Sequence, residues 1–321
     1  MRRSTDNDML ELTAYYREVV RRMMYCNGDL EDPLSPCVEM VLDMVKHQMV
    51  KVLEDAARHA NIQKRELITL EDVLFLFRRH KFLLKRLLHF ADAAERINEL
   101  KRAAPQTAKL DEEPDLESGV DEDDVADIAS TSVPDSNLGR MLKYVDSLGL
   151  EESAEELLTA PDRELERRQL RIADIVMNDL SAEEYPRFTA ARSATFLDDV
   201  RRHSRRRDAG NLLRWLGAPK CEPSVSFVLA FIGREVVAYY VDAAYVVMTN
   251  EERNLFLNEV HDGHIAAEDE ICPLQLRHYE EALRRCVGWR RHRDFLFGYY
   301  DESQDKASEL NDGVEAPLIS S

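Results

Sequence analysis

The stretch from residue 35 to residue 61 constrains this chain more than any other. Ser35 supplies a helix cap and Pro36 stands at the first helical position, where a missing N–H costs nothing. From there Val38, Val41, Leu42, Val45, Met49, Val52, Leu53, Ala56, Ala57 and Ala60 recur at steps of three and four, the period of one helical face. The result is a rod of roughly 40 Å with a broad apolar stripe. Two short helices cannot cover such a stripe, so the rod needs a partner surface of similar length.

Its flanks set the local plan. Residues 11–25 carry Leu12, Tyr15, Tyr16, Val19, Val20, Met23 and Met24 on one face, and Asn27-Gly28-Asp29 ends that helix. After the rod, Leu67 and Ile68 suit a very short strand. Thr69 caps the next helix with Asp72 at the third helical position, and Arg65 is placed to clamp Asp72 by a salt bridge. Helix is expected on to Phe90, with a break near Arg79-His80-Lys81.

The same plan returns downstream. A leading helix is expected over 181–196 with Ser181 as cap and Glu184 at the third position. A short helix over 208–216 follows, stopped by Gly217-Ala218-Pro219. Glu222-Pro223-Ser224 opens a second rod over 224–248, and 249–270 reads as an insertion lengthening the last loop. The closing helix over 273–286 has Leu274, Leu276, Tyr279, Ala282 and Leu283 on its apolar face. The expected domains are therefore 8–104 and 161–289, joined by an acidic flexible linker over 105–160 and followed by a polar tail over 290–321. The linker leaves room for one short helix over 137–148.

Composition excludes several function classes. Glycine and proline are scarce, at 11 each, which disfavours turn-rich sandwiches and barrels and leaves too little glycine for nucleotide-binding loops. A net charge of −19 repels nucleic acid on average and favours a basic protein partner. Five cysteines without CxxC spacing fit a reduced compartment, and the N-terminus lacks the apolar run of a secretory signal. The apolar run 227–247 is interrupted by Arg234, Glu235 and Asp242 and reads as a buried helix, not a membrane span. No catalytic triad appears, and His292-Arg293-Asp294 lacks the companions of a kinase loop. His261, His264 and Glu268 are too loosely spaced for a metal site, so neither metal nor cofactor is expected. The basic run Arg201–Arg207 can be a nuclear-import or phosphate-binding patch or, more simply, an exposed helix entry.

Helix, long helix, helix, with short strand-like loops and an Arg–Asp clamp, resembles the histone fold. In the first half Met23-Met24-Tyr25, Gly28-Asp29, Gln48, Ala56-Ala57, the run from Leu67 through Asp72 to Leu76, and Arg86-Leu87-Leu88 carry the likeness. In the second half it rests on Glu184-Tyr185, Phe188, Arg192, Phe196, Phe231, Glu235-Val236-Val237, Pro273-Leu274, His278, Glu281-Ala282 and Arg284-Arg285, with Glu166 to Met177 upstream. Together they resemble the suppressor-of-Ty (Spt-three) family, the double histone-fold subunit of the SAGA coactivator, and a small histone-fold subunit of TFIID. The resemblance implies an all-α protein with two histone folds in one chain, paired like a heterodimer. It implies a non-enzymatic nuclear coactivator subunit whose partners are TATA-binding protein and other SAGA subunits, with DNA contact indirect or weak. Its fold-defining residues would be Arg65, Thr69, Asp72, Phe196, Pro273 and His278. Glu235 and Asp242, seven apart on one helix face and beside Arg234, are the candidate partner-binding residues; an internal salt bridge or a solvated face is the competing reading. A TFIID-like scaffold and a DNA-binding histone-fold pair are the alternative functions.

Overall fold

The computed structural model describes residues 2–103, 136–150, 152–178, 180–197, 210–262 and 274–298. Along them run α1 (Arg2–Cys26), α2 (Ser35–Ile62), α3 (Leu70–Phe77), α4 (Lys81–Ala103), α5 (Asn137–Ser147), α6 (Ala154–Thr159), α7 (Arg163–Asn178), α8 (Tyr185–Arg192), α9 (Asn211–Leu216), α10 (Pro223–Asp262), α11 (Leu276–Arg285) and α12 (Val287–His292). The described residues contain no strand, only an isolated parallel bridge between Ile68 and Cys221. The all-helical class follows, as the residue pattern predicts. Two compact units divide the chain, and both long helices, α2 and α10, contribute to each.

The first unit comprises residues 1–54, 164–218 and 232–321. The apolar face of α1 is buried through Tyr16, Val19, Val20, Met23 and Met24. Gly28, at φ +102°, turns the chain out of α1, a conformation that side chains rarely adopt. The stripe of α2 is buried from Cys37 to Leu53, and α10 answers with Val236, Val237, Tyr240, Val241, Ala244 and Val247. Phe196 is fully buried, with its ring 6.0 Å from that of Tyr16, and Trp215 lies 4.5 Å from the same ring. Trp215 Nε1 also donates to the Thr13 hydroxyl at 3.1 Å.

The C-terminal segment closes this unit. Tyr279 donates its hydroxyl to Asp29 at 2.8 Å. Burial pushes the Asp29 carboxyl above its ordinary range, and the bonds from Tyr279 and the Leu30 N–H hold it back only in part. Gln48, fully buried, donates to Asp294 at 3.0 Å and accepts from the Phe295 N–H at 2.9 Å. Residues 294–296 are therefore core, not part of the polar tail expected from residue 290. Apolar Phe295 and Leu296 sit among charges, which hid them from a reading of average polarity. His278 is 2 % exposed and accepts the Gln275 N–H through Nδ1 at 3.1 Å, capping α11; Pro273 lies outside the described residues.

The second unit comprises residues 55–163 and 219–231. Its centre is the predicted clamp. Arg65 donates to both oxygens of Asp72, at 2.7 and 2.9 Å, and Thr69 donates from its N–H at 2.9 Å and its hydroxyl at 3.0 Å. The break between α3 and α4 falls at residues 78–80, as the sequence predicts. Phe90 packs against Phe227 and Phe231, with ring centres 5.0 and 5.7 Å apart. Arg86 meets Asp162 in a buried two-pronged ion pair at 2.6 and 3.0 Å.

Two expectations are corrected here. From residue 136 the stretch read as flexible linker is packed: α5 falls on the short helix expected over 137–148, α6 was not expected, and together they bury Met141, Val145, Ala154 and Leu157. Arg140 on α5 joins Glu71 at 2.8 Å and also pairs with Glu222, so this segment is pinned by charge as well as by apolar contact. The acidic run before residue 136 lies outside the described residues. The insertion read at 249–270 begins as helix, because α10 continues to Asp262. Polarity there masked good helix formers. By length and composition α10 from Pro223 to Glu251 could cross a membrane, yet 78 % of its most apolar window is buried in the protein, as the interrupted run suggests.

Candidate docking site

Glu235 and Asp242 do share a face of α10, but that face looks inward. They are 8 % and 6 % exposed. The helix laid over them is α7. Its partly buried apolar positions are Leu165, Ile172, Ile175 and Val176, and Arg168 stands on the same side at helical spacing. Arg168 is 3 % exposed. Its guanidinium reaches Glu235 at 3.6 Å and Glu164 at 3.8 Å. Arg171 reaches Asp242 at 3.0 Å and Arg167 reaches the same carboxylate at 3.1 Å.

Three guanidinium groups thus face three carboxylates, with Arg168, Arg171, Glu235 and Asp242 in a largely dry seat and Arg167 and Glu164 at its exposed rim. Nε and Nη2 of Arg168, and Nε and Nη1 of Arg171, make no hydrogen bond there. Burial pulls the Arg171 guanidinium below its usual range, and Asp242 offsets part of that. Arg171 also donates to the Asn27 carbonyl at 3.0 Å and lies over the Tyr245 ring at 4.5 Å. A Cβ at Gly28 would stand 2.9 Å from its Nη1, so the turn after α1 and the seat of α7 are fitted to each other. Removing one partner from a buried ion pair costs about 3–5 kcal/mol, because the other charge stays behind uncompensated.

Of the candidate partner-binding residues, only Arg234 is exposed. Sequence spacing brought Glu235 and Asp242 together correctly. It did not find Arg168 and Arg171, although a signal existed: an arginine inside the apolar stripe of an amphipathic helix. In the second unit, an open cleft of about 430 Å³ is lined by His59, Gln63, Arg65, Thr69, Glu71 and Tyr144. Its Arg65 already serves Asp72, with 2.7 Å between them. The runs around Arg201–Arg207 and His264 lie outside the described residues.

Three of the thiols are poor nucleophiles. Burial pushes those of Cys26, Cys37 and Cys221 up to about 11. Arg192 and Arg234 pull Cys26 back only in part. A thiol held at about 11 carries roughly 100-fold less thiolate at pH 8 than an ordinary cysteine. Residue-resolved alkylation of the native protein should therefore be slow at all three, and modification at the rate of a free thiol would contradict their burial.

Comparison with known proteins agrees with the motifs. Residues 14–106 match the family model of the 18 kD subunit of transcription initiation factor IID. The chain is 25 % identical over 289 residues to SAGA complex subunit Spt3 of Schizosaccharomyces pombe, covering 85 % of this chain and 90 % of that protein. It is 23 % identical over 261 residues to SAGA complex subunit SPT3 of Saccharomyces cerevisiae, covering 74 % of each. It is 35 % identical over 72 residues to Protein SPT3 of Kluyveromyces lactis, covering 22 % of each. The SAGA relatives are named as subunits of a complex and not for a reaction. Over most of its length the chain is thus similar to SAGA complex subunit Spt3, and over residues 14–106 to the TFIID 18 kD subunit family, in line with the motifs of both halves.

Proposed function

We propose that this chain is a non-enzymatic, nuclear subunit of a SAGA-type coactivator that docks TATA-binding protein and supports its delivery to promoters. The likeness to Spt3 along 85 % of the chain carries the reading. Two histone folds paired within the chain would form its scaffold. In support, the N-terminal helices meet C-terminal ones inside each compact unit, through Tyr279 to Asp29 in the first and Phe90 to Phe227 in the second. The charge of −19 suits a basic protein surface better than DNA. The match at residues 14–106 favours a second reading, a TFIID-type scaffold subunit. Affinity purification from cells separates the two by whether SAGA or TFIID subunits follow the chain.

The direct test is binding of the purified chain to purified TATA-binding protein at rising salt. Saturable binding, weakening about tenfold between 50 and 300 mM salt as exposed charges are screened, is expected. No binding to TATA-binding protein, with tight binding to bare DNA instead, would sink the proposal.

A further inference from the structure

Glu235 and Asp242 cannot be reached by a partner while α7 is seated, since both are at least nine-tenths buried. What α7 offers to solvent is different in kind. Leu170 is 67 % and Met177 81 % exposed, and Ala173 lies exposed between them. At 100° per residue, Glu166, Leu170, Ala173, Asp174 and Met177 fall within about 100° of one another, directly opposite Arg168. An apolar ridge thus runs along the outer face with a carboxylate near each end. Arg167, at the border of this face, is drawn back onto Asp242, and Arg163 lies on the same face at the first position of the helix, beyond the ridge.

We infer that the docking surface is this outer face of α7, that its occupant is a basic protein surface carrying an apolar cleft, and that Glu235 and Asp242 are positioning residues that seat the helix from below. The inference rests on the reading of the chain as a docking subunit. Two observations carry it. The underside of α7 is seated both by partly buried apolar side chains, with Ile172 and Val176 packed against Tyr25, Phe188 and Ala191, and by the ion pairs of Arg167, Arg168 and Arg171, which fix its rotation over Glu235 and Asp242. The upper side pairs a Leu–Ala–Met ridge with Glu166 and Asp174, in a chain of strongly negative charge, which complements a cationic partner.

The experiment uses the full chain with TATA-binding protein as the probe. The double variant Leu170→Asp with Met177→Asp alters only exposed side chains; it should keep the wild-type melting temperature and bind at least tenfold more weakly. Glu235→Arg should also weaken binding tenfold or more, and adding Arg168→Glu should return most of it by rebuilding the pair with its signs exchanged. Binding by wild type and by the outer-face variant alike would overturn the surface. A folded charge-swapped protein that stays weak would overturn the positioning role, because a directly contacting Glu235 is not rescued from beneath. Absence of wild-type binding would instead count against the docking function itself. If the charge-swapped protein melts early, the outer-face variant alone decides.

Discussion

Replacing Gly233 with leucine should leave little folded protein at 37 °C. Glycine inside a helix costs about 1 kcal/mol relative to alanine, so its place in the apolar heart of α10 calls for a packing reason. That reason is α2 and the segment after α8. A Cβ at Gly233 would stand 2.3 Å from Cε of Met49 and 2.7 and 2.9 Å from two ring carbons of Phe196. The methionine end can swing aside. The Phe196 ring cannot, because it is fully buried and packed on Tyr16. Alanine should therefore cost about 1–3 kcal/mol, the usual range for overpacking a close-packed core. Leucine adds three more carbons where none fit and should cost more than about 4 kcal/mol, out of a total of about 5–15 kcal/mol for a typical domain. Thermal melting should show the alanine protein a few degrees below wild type and the leucine protein lower by roughly 10 °C or more, or insoluble. A leucine protein melting within 2–3 °C of wild type, about the shift that 1 kcal/mol produces, would mean that the helices do not approach here as described.

The contrast between Gly233 and the α2 stripe shows what periodicity can carry. The rod predicted over 35–61 is observed as Ser35–Ile62, since cap, proline and stripe all act within the segment itself. The clamp was legible for the same reason: Arg65, Thr69 and Asp72 lie within one turn and its loop. Gly233 and Gln48 owe their roles to residues far along the chain, Met49 and Phe196 for one and Asp294 for the other, and no local pattern announces that. The candidate site divides along the same line. A spacing of seven placed Glu235 and Asp242 on one face, but only the fold could say that α7 covers them. The helix α6 was hidden differently, whereas α5 falls on the short helix expected over 137–148. Helix α6 follows an acidic stretch whose average polarity outweighed the apolar Ala154 and Leu157 that it buries.

Asp72 is where local sequence and tertiary packing meet, and its loss should be the most damaging single change in the second unit. Its side chain is fully buried. It accepts from Arg65 twice, from the Thr69 N–H and hydroxyl, and interacts with His59 Nδ1 at 2.7 Å. Burial alone would raise this carboxyl; the bonds from Arg65, Thr69 and His59 outweigh it and hold it below its ordinary value. Asp72→Ala strands the Arg65 guanidinium and the cap of α3 together, at about 3–5 kcal/mol. Asp72→Asn keeps the shape but loses the charge that Arg65 and the helix N-terminus favour, at about 2–3 kcal/mol. The pH dependence fixes the cause. A carboxyl whose pKa is depressed by folding stabilises the native state fully above its unfolded value, near 3.9, and loses that contribution as pH falls through the folded value. The stability gap between wild type and Asp72→Asn should therefore be level from pH 8 to about 5 and close below about pH 4, when Asp72 itself takes up a proton. Carboxylates common to both proteins cancel in this difference. A gap unchanged at pH 3 would show that Asp72 acts by shape alone, and no gap at pH 7 would show that the clamp does not hold the loop to α3.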